Sequence, residues 1–261
     1  RVWDTPQDWT GNGADTLLVY FRGNPVGFAE TAPGAFTMSG GGTDIWNAAD
    51  QFRFAFKQLN GNGAIIAKVE SVDNTDPWAK GAVMIRENLD PGARFALICA
   101  TPGNGVHYQA RLLNAGAAVS DNTAPAVSTP EQIALKAPVW IKIERTGTSF
   151  SGSYSTDGVK WTAMSWNPQT INMGTGVYIG LAVTSHNANA ATTAKFSNVS
   201  TTGGVTGSWQ VQAIGVAQPA NDAASLYVAV QDSAGKTKAI SHSDPAATTL
   251  ATWQQWRIGL S

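Results

Sequence analysis

The chain has 261 residues, 17 Lys and Arg against 18 Asp and Glu, and only 13% charged residues. No field exists to draw nucleic acid or an anionic membrane, so no nucleic-acid role is expected. Ten Trp, 27 Gly, 12 Pro and a single Cys are the usage of a turn-rich all-β protein that presents aromatic surface.

Strands are predicted near 15–22, 34–38, 51–58, 64–72, 80–86, 93–100, 105–113, 139–146, 149–155, 160–165, 176–184, 192–199, 207–214, 224–231, 236–241 and 254–260, with no amphipathic helical window. Between them stand turn signals such as Asn60-Gly61-Asn62-Gly63, Asp90-Pro91-Gly92, Asp157-Gly158 and Ala234-Gly235, which supply the positive φ of tight turns. The pattern predicts an antiparallel β-sandwich or jelly roll. A polar stretch over 114–132 reads as a long loop or lid, and Cys99, within Phe-Ala-Leu-Ile-Cys, reads as a buried thiol with no disulfide partner.

The two ends differ from the middle. Neither the first 33 residues nor those after 202 would bury a core alone, so 1–33 and 203–261 are expected to pair as a smaller β domain. Residues 34–202 would then be inserted, with Thr201-Thr202-Gly203-Gly204 as linker. No apolar run of about 18 residues occurs, so no membrane-spanning helix is expected. Low charge with abundant Thr, Asn and Trp suggests an exported, secreted or cell-surface bacterial protein. The segment reads as part of a larger multidomain protein.

GTDIWNAADQFRF (42–54), DPWAKGAVMIRE (76–87), APVWIKIERTGTSFSGSYSTDGVKW (137–161) and VYIGLAVTSHN (177–187) resemble bacterial concanavalin A-like lectin and glucanase sandwich domains. The flanks DTPQDWT (4–10), LLVYFRGNP (17–25) and LYVAVQDSAGKTKAISHSDPAATTLATWQQWRIGL (226–260) resemble a galactose-binding-like jelly roll of the carbohydrate-binding-module type. The resemblance implies a concanavalin-like sandwich inserted in a second, smaller β-sandwich formed from the chain ends. A polysaccharide or glycan is the partner it implies.

A pyranose offers an apolar C–H face and a rim of hydroxyls, so its sites pair an aromatic platform with bidentate polar groups. Trp46 and Trp78 lie in polar turns and are expected to be more exposed than the strand residues Trp140, Trp161 and Trp209. Alternation puts Lys80, Met84 and Arg86 opposite Val83 and Ile85, and His107, Gln109 and Arg111 opposite Val106, Tyr108 and Ala110. If these strands are neighbours, the polar sets share one open face, which Trp140, Lys142 and Glu144 are spaced to join and His186 to approach. The carbohydrate-binding set is therefore Trp46, Trp78, Lys80, Arg86, His107, Gln109, Arg111, Trp140 and His186.

A polysaccharide lyase with His107 as base is the enzymatic alternative, and a structural or adhesion spacer is the third reading. No Glu-x-Asp-x-Glu run supports glycoside hydrolysis. Asp73, Asp76 and Asp222 offer oxygen ligands for a structural Ca²⁺, while zinc spacing, a nucleophile elbow and a phosphate loop are missing.

Overall fold

The computed structural model describes residues 13–23, 27–123, 126–216, 224–231, 234–250 and 253–259. The chain divides into two compact units, Gly27–Gln218 and a smaller one drawn from Arg1–Val26 and Pro219–Ser261. This division departs from the boundaries expected at 33/34 and 202/203: the first falls in the turn between the paired strands Phe28–Ala32 and Ala35–Gly42, and the second lies within the strand Asn187–Ile214.

In the larger unit, β2 (Phe28–Ala32) pairs with β3 (Ala35–Gly42), and β14 runs unbroken from Asn187 to Ile214. Strand β4 (Phe52–Val72) is also long, with 21 residues against 28 in β14. Its first half pairs with β13 (Gly176–Thr184) and its second half with β9 (Val139–Thr146). Asn60-Gly61-Asn62-Gly63 is thus not a hairpin turn: it is a bend that carries one strand from the front sheet into the back sheet.

Residues Thr201–Gly204 form the matching bend of β14, with Gly203 paired to Gly63, and not a linker. A Cβ at Gly203, where φ is +78°, would lie 2.3 Å from the Asn62 carbonyl oxygen, so only glycine allows the two bends to nest. The strand expected at 207–214 is the tail of β14 and belongs to the larger unit.

The front sheet continues from β13 through β5 (Lys80–Arg86), β6 (Phe95–Thr101), β7 (Gly105–Arg111) and β8 (Val119–Ser120). In the back sheet, β9 pairs with β10 (Ser149–Ser155), which carries the short β11 (Thr162–Ala163) and β12 (Gln169–Thr170). All these pairings are antiparallel.

The main core lies between the sheets. Val83, Ile85, Ile98 and Tyr108 meet Ile141, Ile143, Phe150 and Phe196, all buried. A second apolar layer covers the other side of the front sheet, where Phe52, Phe54, Met84, Leu97 and Cys99 pack with the loop residues Ile45 and Ala118. The front sheet is therefore buried on both faces, and its strands read as apolar runs. Burial pushes the Cys99 thiol up to about 12, which makes it inert.

The 114–132 stretch is anchored, correcting its reading as a free loop or lid. It contributes β8 and ends in α1 (Pro130–Ala134), which is capped reciprocally by Thr129 and Gln132. The smaller unit holds β1 (Thr16–Phe21) paired antiparallel with β17 (Gln254–Gly259), and a hairpin of β15 (Tyr227–Gln231) and β16 (Thr237–Ser241). No helix among the described residues is long and apolar enough to cross a membrane.

Candidate functional site

Alternation places Lys80, Arg86, His107, Gln109 and Arg111 on one face of β5 and β7, but that face is not open. Lys80 and His107 are 1% exposed, Gln109 3%, and Arg86 and Arg111 0%. At one end Arg86 and Arg111 converge on the buried Asp50 carboxylate, and the Trp46 carbonyl accepts from Arg111 Nη2 at 3.2 Å. Trp46 itself is partly buried against the second apolar layer.

At the other end Lys80 Nζ donates to Asp44 Oδ1, and His186 is held between Asp44 Oδ2 at 3.3 Å and Asp76 Oδ1 at 3.1 Å. Trp78, partly exposed, lies 5.2 Å from the His107 ring and 5.8 Å from Lys80 Nζ. These residues brace loops; they do not line a cleft.

His107 is no base for a polysaccharide. Its Nδ1 faces Asp121 Oδ1 at 2.8 Å and its Nε2 the Asn104 carbonyl at 2.8 Å, so both nitrogens are engaged and out of reach of solvent. The lyase reading fails on that geometry.

Calcium at Asp73 and Asp76 is also not supported. Asp76 Oδ1 already accepts from the Trp78 backbone N–H at 2.8 Å and faces His186. Among the described residues no group of three His, Cys, Asp or Glu could hold a metal ion. Asp222 lies outside the described residues.

Trp140 is separated from the others by the sandwich itself. Strand β9 belongs to the back sheet, where Val139, Ile141 and Ile143 face the core and Trp140, Lys142 and Glu144 face outward. There Trp140 and Trp161 flank an open groove of about 570 Å³, whose floor and rim include Ile66, Gly158, Asn198 and Ser200. Both indoles are partly exposed.

Two local features build the groove. Ser155 Oγ accepts from the Gly158 N–H at 2.9 Å, and Asp157 Oδ1 accepts from the N–H groups of Val159 and Lys160 at 2.8 Å each. These donors, with the Ser155 hydroxyl, hold the Asp157 carboxyl below its ordinary value. The turn lays Gly158 against the Trp140 indole, where a Cβ would come within 2.7 Å of Cε2.

The second feature is a bulge in β14. The register slips between Ser197 and Ser200, and Asn198 takes φ of +51°, which brings it to the groove rim. Lys142 Nζ sits 5.0 Å from the Trp161 ring centre and fixes that indole from the strand side.

Trp161, Asn198 and Ser200 were not among the residues expected to bind. The serine, aspartate and glycine of the 155–158 turn, three residues before Trp161, were a legible sign that this indole is presented on a fixed loop.

No protein-family model matches the chain, and no curated protein matches it in sequence. Among solved structures, a functionally unknown protein from Saccharomyces cerevisiae is similar over 71% of this chain and 95% of its own, with TM-score 0.52 at 13% identity. A xylan β-1,4-xylosidase from Bacillus halodurans aligns with 67% of this chain at TM-score 0.44 and 11% identity, and the match spans 34% of that enzyme. The exoplasmic/lumenal domain of VIP36, solved with Ca²⁺ and Man3GlcNAc, aligns over 69% of this chain and 83% of its own at TM-score 0.40 and 9% identity. The yeast protein establishes a shared fold only.

Proposed function

We propose that the chain is a non-catalytic carbohydrate-binding unit of an exported bacterial protein, and that its larger unit takes a polysaccharide in the Trp140–Trp161 groove. The observation that carries this reading is the pair of partly exposed indoles across an open groove whose rim bears the Asn198 amide and Ser200 hydroxyl. Flat apolar surface beside amide and hydroxyl groups is what the two sides of a pyranose require. The groove is open, so a chain can enter along its length.

Affinity electrophoresis against xylan, mannan, β-glucan and pectin tests the reading. At least one is expected to retard the protein, and Trp140→Ala or Trp161→Ala is expected to weaken that binding tenfold or more, about 1.4 kcal/mol. Absence of binding to any saccharide at millimolar concentration would overturn it.

Acidification is a second probe, because the 155–160 turn rests on an ionised Asp157. A carboxyl held below its ordinary value of 3.8 stabilises the turn above that pH and loses this contribution only as the pH falls through its lowered value. Binding is therefore expected to be flat from neutrality to about pH 4 and to fall below it, while Asp157→Ala is weak at every pH. Equal affinity of Asp157→Ala and the parent at pH 7 would separate the turn from the site.

A further inference from the structure

The smaller unit holds a cavity that saccharide binding leaves unused. Two separate two-stranded sheets, β1–β17 and β15–β16, enclose about 270 Å³ between them, partly open to solvent. Leu17 and Ile258, directly paired across the ribbon, form one wall. Val228, Val230 and Ile240 form the other, on one face of the hairpin, because Val228 pairs with Ile240 and Val230 with Lys238.

The walls are apolar from floor to mouth. Ile258 is 5% exposed and Val230 43%, so the cavity is deepest at the ribbon and opens beside Val230. Lys238 stands at that mouth as the cross-strand neighbour of Val230, exposed and without a carboxylate partner among the described residues. Lys236, on the same rim, is already engaged and supplies no free charge.

Size and polarity select the ligand. Close-packed interiors leave few voids larger than a water molecule. A closed apolar cavity of about 150 Å³ already takes benzene, so this one suits a tail of roughly ten carbons. A saccharide finds no match here, since apolar walls would strip its hydroxyls of water and offer no hydrogen bond in return. With an ammonium at the mouth and no acidic residue among the described lining, the tail should end in an anion.

We propose that this cavity binds a medium-chain carboxylate amphiphile. Its tail lies between the Leu17–Ile258 wall and the Val228–Ile240 wall, and its carboxylate accepts from Lys238 Nζ. Each buried methylene is expected to raise affinity about fourfold.

Calorimetric titration of the full chain with hexanoate, octanoate, decanoate and tetradecanoate, each below its micelle concentration, tests this. Affinity is expected to climb as far as decanoate and to level off by tetradecanoate, once the tail has filled the cavity. Decyltrimethylammonium, with the same tail and the opposite charge, is expected to bind at least tenfold more weakly than decanoate. Lys238→Met is expected to weaken decanoate about fivefold and to leave decanol unchanged. Val230→Trp, at a half-exposed strand position that accepts an aromatic ring, is expected to fill the mouth and weaken every tail at least tenfold, with an unaltered thermal unfolding curve. No binding of decanoate at millimolar concentration, equal binding of decyltrimethylammonium, affinity that climbs undiminished to tetradecanoate, undiminished decanoate binding by Lys238→Met, or full binding by a folded Val230→Trp would overturn the proposal.

Discussion

Asp50→Asn is expected to destabilise the larger unit by about 3–5 kcal/mol, seen as a lower urea midpoint by tryptophan fluorescence. The carboxylate is wholly buried, and it meets two wholly buried guanidiniums: Arg86 Nη1 at 3.1 Å and Arg111 Nη1 at 2.7 Å on Oδ2, with Arg111 Nη2 on Oδ1. Burial pushes the Asp50 carboxyl above its ordinary range and the Arg86 guanidinium below its own, and their mutual charge opposes both shifts. The isosteric amide keeps the shape and removes the charge, so two cations are left in an apolar layer with no counter-ion.

The loops suffer with them. Arg86 also donates from Nε to the Asn88 carbonyl at 2.7 Å, and Arg111 to those of Asn47, Ala93 and Gly116 at 3.0 Å each. Three connecting segments thus hang on one triad. Replacing all three charged residues together, Asp50→Leu with Arg86→Met and Arg111→Met, is expected to be less damaging than Asp50→Asn alone, because no charge is then stranded. A loss below about 1 kcal/mol in Asp50→Asn would show that the triad is not what holds these loops.

Period-two alternation was enough to sort the sides of β5 and β7. Val83, Ile85, Val106, Tyr108 and Ala110 do face the main core, and Lys80, Arg86, His107, Gln109 and Arg111 do share the other face. What covers that face was not legible, because Ile45 comes from the loop ahead of β4 and Ala118 from the loop between β7 and β8, and no periodic pattern shows that these loops fold back over the sheet. One sign was available: a layer with Met84, Leu97 and Cys99 between the polar ends is apolar in its middle, and a face of that kind is seldom wet.

Trp140 shows a related limit. Its outward direction followed from alternation along β9, but alternation does not say which of two sheets a strand joins. That depends on pairing with the second half of β4, fixed by the bend at Gly61–Gly63. Glycine runs look the same in a turn, a linker and a bend, and only the close approach of Gly203 to Asn62 tells them apart. Residues Asn198 and Ser200 reach the groove through a bulge, which shifts register by the very step that a repeating pattern assumes constant.

Asp121→Asn is expected to release α1 and to cost the larger unit about 3 kcal/mol. The buried carboxylate takes four donors: His107 Nδ1 at 2.8 Å and Ser120 Oγ at 3.2 Å on Oδ1, and Gln132 Nε2 at 2.9 Å and the Tyr108 N–H at 3.1 Å on Oδ2. An amide can accept on one side only, so its NH₂ must confront two of these donors whichever way it is turned. Five residues are too few for a helix to persist alone. Gln132 anchors α1 in both directions, through Nε2 to Asp121 and through Oε1 to the Ser165 N–H at 3.2 Å. With the Asp121 end lost, the 112–137 segment is expected to be cut faster by added protease and the Tyr108 amide to exchange faster with deuterium, while β9 and β10 stay protected. Unchanged cleavage and exchange would place the anchor of α1 in its Thr129 cap instead.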